Sequence, residues 1–140
     1  MKYLVMVQGS QADYEAMAGT ASPAGPAWNE EDMRAMFAFM KAVNDDLTES
    51  GELVDANGLA EPARTRFVGA GQDGRPVVSD DPHGRTEVVL AGYWVLACES
   101  LERVTEIAAR IATCPQPAGA PDHPVVIRQI MGEGAGESAG

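Results

Sequence analysis

The sequence predicts a mixed α+β domain of the ferredoxin-like plan with an extra β-hairpin, and three observations lead there. Short apolar runs of strand character recur at 2–8, 52–60, 64–70, 75–79, 89–97 and 124–131. Two amphipathic helical patterns separate them, one opening at Asn29 and one at Ser100. The resulting order, β, α, β, hairpin, β, α, β, lays two helices on one largely antiparallel sheet. A chain of 140 residues that is 45% hydrophobic is long enough for one core and short for two, so a single domain over 1–131 is expected.

Each element has its own local cause. KYLVMVQ, from Lys2 to Gln8, is apolar, short and closed by Gly9, which marks a buried first strand. The following GSQADYEAMAGTASPAGPA mixes a weak helical patch with Gly, Ser and two prolines and reads as a long loop, of the kind that carries function or covers a pocket. Asn29 caps the free amides of Glu30, Glu31 and Asp32, and those acids suit the positive end of the helix dipole. Met33, Met36, Phe37, Met40, Val43 and Leu47 then form one apolar stripe that Gly51 ends. Such a stripe marks an adaptable binding surface in some proteins, but methionine fills irregular gaps and core packing is the expectation.

ELVDANGLA is the next strand, with Gly58 expected to mark a bulge or a close approach. RTRFVGA, the turn GQDG and RPVVS make a hairpin signature, and VLAGYWVLA, Val89 to Ala97, is a further strand. Ser100 caps a helix whose buried face is Leu101, Val104, Ile107, Ala108 and Ile111, and which Pro115 ends. PVVIRQIM is the last strand, and 132–140, GEGAGESAG, is too polar and glycine-rich to pack, so it is expected to be a disordered tail. Helices on one face leave the other bare, with Tyr93 and Val95 or their neighbours Trp94 and Leu96 as its apolar residues. A second copy of the chain is the economical cover, giving a face-to-face homodimer.

Composition limits the function. No apolar run approaches the roughly eighteen residues of a membrane span, and MKYLVMVQG turns polar too soon for a secretory signal, so a soluble, cytoplasmic protein with no membrane partner is expected. A formal charge of −11 disfavours nucleic acid. Cys98 and Cys114 flank the second helix, roughly 20 Å apart along it, too far for a disulfide, and read as two buried thiols. No GxGxxG after a strand, P-loop lysine or Gly-x-Ser-x-Gly elbow is present, so no cofactor is expected.

The chemistry-bearing stretch is SDDPHGRTE, between two strand runs. His83 follows Asp80, Asp81 and Pro82; a neighbouring carboxylate orients an imidazole and stabilises its cation, and the proline stiffens the turn. The alternative is a solvated charged connector. No recognised spacing joins Asp80, Asp81, His83 and His123 into a metal site, and His123 reads as a loop histidine beside a strand start. Arg85 and Arg128 can each hold a substrate carboxylate by paired hydrogen bonds, or offset local acids. Tyr14 and Trp28 can line a pocket, although a Trp before a helix cap also serves as a hydrophobic staple.

The run DDPHGRTEVVLAGYWV resembles the signature of the YCII-related, DGPF-type domain family, in which an Asp-Gly-Pro-Phe turn precedes Ala-Glu-Thr-Lys-Glu and a Leu-x-Gly-Tyr strand. Asp80, Pro82, Thr86, Leu90, Gly92 and Tyr93 stand at matching positions, and the resemblance extends through MKYLVMV, ESGELVDANGLAEP and VVIRQIM. It implies a ferredoxin-like fold pairing as a dimeric α/β barrel. It does not imply one function: the wider group includes small-molecule enzymes with a His–Asp pair, a dehydrochlorinase among them, and other members linked with extracytoplasmic-function sigma factors. The chain departs from the pattern at Asp81 (for Gly), His83 (for Phe), Arg85 (for Glu), Glu87 (for Lys) and Val88 (for Glu).

Two expectations follow. One is a cofactor-independent acid–base enzyme of lyase, dehydratase, cyclase or isomerase type, acting on a small oxygenated metabolite, aromatic ones included. His83 would exchange protons, Asp80 or Asp81 would orient it, and Tyr93 and Arg85 would place substrate oxygens. The other is a non-catalytic dimeric module that binds a ligand or a protein, such as a regulator beside a sigma factor.

Overall fold

The computed structural model describes residues 1–80, 84 and 86–132. Strand β1 (Lys2–Gly9) lies between β5 (Val89–Ala97) and β6 (Val126–Gln129), and β2 (Leu53–Gly58) flanks β5 on its other edge. Every neighbouring pair in the order β2-β5-β1-β6 is antiparallel. The two central strands are the two with near-continuous apolar sequence, because only central strands bury both edges and much of both faces. This is the ferredoxin-like order, consistent with the α+β class read from sequence. The described residues form no closed barrel within one chain.

Alternation along the strands decides which residues make the core. Tyr3 and Val5 of β1, Trp94 and Leu96 of β5 and the adjoining Cys98 are buried on one face. There they meet Val43 and Leu47 of α2 (Glu30–Glu49) and Val104, Ile107, Ala108 and Ile111 of α3 (Leu101–Ile111). Full burial of one such side chain stabilises by about 1.5–3 kcal/mol. On the opposite face Tyr93 and Val95 stand beside Leu4, Met6 and Arg128, and among the described residues the helices pack on the Trp94 and Leu96 side instead, which resolves the choice left open by sequence.

The helix signals act as read. Asn29 Oδ1 accepts from the Asp32 N–H at 2.8 Å and the Asp32 carboxylate accepts from the Asn29 N–H at 2.9 Å, a reciprocal cap. Gly51, at φ 79°, takes the left-handed conformation that ends α2. Ser100 Oγ accepts from the Arg103 N–H at 3.1 Å to start α3. The helices are tied to the sheet and to each other by a two-pronged Arg103–Glu52 pair, both contacts 2.8 Å, and by Arg110–Asp46, also 2.8 Å.

Several expectations need correction. The stretch after β1 opens with a helix, α1 (Gln11–Met17), and only 18–28 is loop. Ser10 and Asp13 form its capping box, a Ser-x-x-Asp spacing that outweighs the weak periodicity behind it. Leu101 is 60% exposed, because the first residue of α3 lies outside the core-facing stripe. The close approach expected at Gly58 is found at its partner Gly92 instead: a Cβ at Gly58 would meet nothing within 4 Å, whereas one at Gly92 would sit 3.2 Å from the Asn57 oxygen and 3.4 Å from Gly58 Cα. Hairpin strands β3 (Arg66–Ala70) and β4 (Pro76–Asp80) form a separate two-stranded sheet with Phe67, Val68, Val77 and Val78 exposed. Residues 133–140 of the tail lie outside the described residues. Cys98 and Cys114 are both free thiols, but only Cys98 is buried as expected, Cys114 being half-buried just past the end of α3; desolvation is the main cause raising each above its ordinary pKa, Cys98 to about 11.

Candidate functional site

The core-facing positions shrink toward one end of the sheet. Along β1 they run Tyr3, Val5, Val7, Gly9; along β5, read backwards, Leu96, Trp94, Gly92. On β2 Leu53 and Ala56 give way to Gly58, which pairs with Gly92. Three strands therefore run out into glycine side by side, and among the described residues no strand side chain fills the space under the helices there. The result is a cavity of about 530 Å³, within the range of small-molecule sites.

Its walls are mostly apolar. Ala12, Ala16 and Met17 come from α1, Met36, Phe37 and Met40 from α2, and Pro26, Trp28 and Pro121 from two loops. The methionine stripe of α2 is thus divided: Val43 and Leu47 are core, as expected, whereas Met36, Phe37 and Met40 line the cavity, Met40 packing against the core as well. No lysine or arginine lines it among the described residues.

A bulge shapes the rim. The β1–β5 register slips between Val7 and Gln8, leaving Ala91 unpaired on β5. The freed Ala91 carbonyl accepts from the Leu59 N–H at 2.8 Å, and the Tyr14 hydroxyl lies 3.1 Å from it and 2.9 Å from the Leu59 carbonyl. Burial raises the Tyr14 pKa, so the phenol stays a donor clamping the ends of β2 and β5.

At the same end α1 places an acid. Asp13 is the third helical residue of the capping box, and its Oδ2 accepts from the Ser10 N–H at 2.8 Å. His123, in the loop before β6, sets Nε2 2.8 Å from that same Oδ2. The two side chains are 21% and 22% exposed, enough to be reached and too little to be freely solvated. A carboxylate only accepts, so the proton of a neutral imidazole sits on Nε2 and the lone pair on Nδ1. No partner for Nδ1 exists among the described residues, and no buried side-chain nitrogen or oxygen among them lacks a partner, so Nδ1 opens onto accessible space. Both residues line the cavity.

The residues singled out from sequence are dispersed. His83, Asp81 and Arg85 lie outside the described residues. Asp80 ends β4, paired with Arg66 through the backbone ladder. Tyr14 and Trp28 line the cavity. Tyr93 borders it through its strand, while alternation turns the ring to the helix-free face, where its hydroxyl accepts from Asn57 Nδ2 at 3.1 Å. Arg128 is exposed on β6 opposite Leu4 and does not line the cavity. Asp13 and His123 went unnoticed as a pair; the capping box could have singled out Asp13, but nothing local links it to a histidine 110 positions away. No group of three or more His, Cys, Asp or Glu converges as metal ligands among the described residues.

A model of the YCII-related domain matches residues 1–120, from β1 through α3 and ending just ahead of His123. None of the curated proteins is similar enough to match the chain.

Proposed function

The chain belongs to the YCII-related domain family, and from that premise we propose that it is a cofactor-independent acid–base enzyme acting on a small, largely apolar, oxygenated metabolite. One observation carries the reading: a histidine oriented by a helix-held carboxylate, 2.8 Å away, in the wall of an apolar cavity. Asp13 holds the ring in place, leaving Nδ1 to take a proton from a bound molecule and return it. One such group contributes typically about 10²- to 10⁴-fold. Tyr14 and Trp28 shape the site. The turn with Asp80, Asp81, His83 and Arg85 is the rival location for the same chemistry, and Arg128 and Tyr93 belong with that reading as substrate contacts. Free cysteines suit a cytoplasmic setting.

Solvent-exchange NMR tests this directly. Small ketones and phenols incubated with the protein in D2O should exchange C–H protons at acidic positions. His123→Asn should abolish the exchange and His83→Phe should leave it intact. The reverse pattern would move the site to the charged turn, and exchange indifferent to both would end the enzyme reading.

The second reading, a dimeric binding module, draws on the exposed hairpin valines and Phe67 and on the helix-free face with Leu4, Met6 and Val95. Pairing across that face would give the dimeric α/β barrel. Light scattering should return twice the 14.8 kDa chain mass; a monomer at micromolar concentration would remove the pairing.

A further inference from the structure

Asn44 interrupts the apolar face of α2 one turn beyond Met40 and lines the cavity. The Trp94 indole nitrogen donates to Asn44 Oδ1 at 2.8 Å. An indole N–H has nothing to offer but its proton, so the amide atom facing it is the oxygen, and the orientation of the amide is fixed. The Nδ2 group therefore points away from Trp94 with both protons uncommitted: no acceptor for it exists among the described residues, and its nitrogen is not sealed off. A fixed, unspent neutral donor in an apolar wall that lacks lysine and arginine is a recognition element for an uncharged oxygen.

We propose that Asn44 is the residue that recognises a carbonyl oxygen of the ligand, which makes the ligand class a neutral, flat, apolar carbonyl compound and excludes carboxylates. The catalytic part of this proposal rests on the acid–base reading of Asp13 and His123; the binding part does not. His123 Nδ1 removes a proton from the carbon beside the carbonyl, the C–H electron pair moves to form the enolate, and Asn44 Nδ2 donates to the developing oxyanion. The proton then returns from the imidazolium to the same carbon or to its conjugated neighbour, so no oxidant or co-reactant is consumed. A carboxylate in place of the carbonyl would enter a cavity whose lining already carries the Asp13 carboxylate and, among the described residues, no lysine or arginine to hold it.

Three matched probes decide it: acetophenone, ethylbenzene and benzoate, titrated into protein carrying 13C-methyl methionine, since Met17, Met36 and Met40 line the cavity and report occupancy. Acetophenone should bind about tenfold more tightly than ethylbenzene, the scale of one neutral hydrogen bond in a dry site, and benzoate should not bind. Asn44→Asp keeps an acceptor for Trp94 and replaces the donor, so the preference for acetophenone over ethylbenzene should vanish. Trp94→Phe frees the amide to turn and should weaken the same preference, which guards against an Asp variant that folds poorly. Equal binding of acetophenone and ethylbenzene, benzoate binding as well as acetophenone, a preference that survives both variants, or no binding by any probe at millimolar concentration would each overturn the proposal. His123→Asn should retain the preference while losing proton exchange, so failure of the acid–base reading shows separately.

Discussion

The two ends of one sheet face carry opposite solutions to the same packing problem. At the end of Tyr3, Leu96 and Cys98 the strands present large side chains, and α2 and α3 close over them with Val43, Leu47, Val104 and Ile111. At the end of Gly9, Gly92 and Gly58 the strands present none, and the same α2 passes overhead with Met36, Phe37 and Met40 facing space. Polar groups follow the same division. The closed end fixes its ions as a spent pair, Glu52–Arg103, whereas the open end leaves His123 Nδ1 and Asn44 Nδ2 uncommitted. What separates core from site in this domain is the size of the side chain at equivalent strand positions, more than the class of the secondary structure.

The sharpest test exchanges function for stability at the two ends. Asp13→Asn and His123→Asn should each lower proton exchange by about 10²- to 10⁴-fold with a small change in melting temperature, read by isotope exchange and calorimetry on the same sample. Leu96→Ala, at 0% exposure, should do the converse, costing about 2–5 kcal/mol in urea unfolding while probe binding survives below the transition. If all three variants lose stability and activity in parallel, the ends are not separable.

Next in size is Gly92→Ala. Its Cβ would meet the Asn57 oxygen at 3.2 Å and Val7 at 3.4 Å, two strands that cannot both give way. The expected cost is about 1–3 kcal/mol, together with weaker binding of every cavity probe. Unchanged stability and binding would show that the glycine taper is incidental to the cavity.

Much of the closed end was legible in the sequence. Asn29, Ser100 and Gly51 announce the helix ends through backbone chemistry that acts within three or four residues, and VLAGYWVLA announces a central strand by its unbroken apolarity. The open end was not. The taper to glycine is visible only once Gly9, Gly58 and Gly92 are known to lie on adjacent strands, and the Asp13–His123 contact depends on bringing the two termini of the domain together. Local signals were nevertheless available. Ser10-x-x-Asp13 is a capping box, and Asn44 is a polar residue on an apolar helical face, which physical chemistry permits only where something polar meets it. The charged turn drew attention because its residues are adjacent in sequence, but adjacency along the chain says little about what converges in space.

The smallest expected effect concerns acid. Hydrogen bonding from Arg103 is the main cause holding the Glu52 carboxyl at about 2, against 4.5 for an ordinary glutamate. Burial acts in the opposite sense and is outweighed. A carboxyl whose folded-state pKa is depressed contributes stability that is fully present above its unfolded value and is lost as pH falls through the folded one. The contribution of Glu52 is therefore intact above about pH 4.5 and disappears toward pH 2. Glu52→Gln keeps the shape of the side chain and removes the charge, so its stability should lie below that of the parent protein at pH 6 and converge with it as pH drops through that window. Arg103 is partly exposed, so screening by salt should shrink the gap. A gap between Glu52→Gln and parent that stays constant from pH 6 to pH 2 would mean that Glu52 acts through packing alone, and the closed end would then owe its integrity to apolar contacts without help from its ion pair.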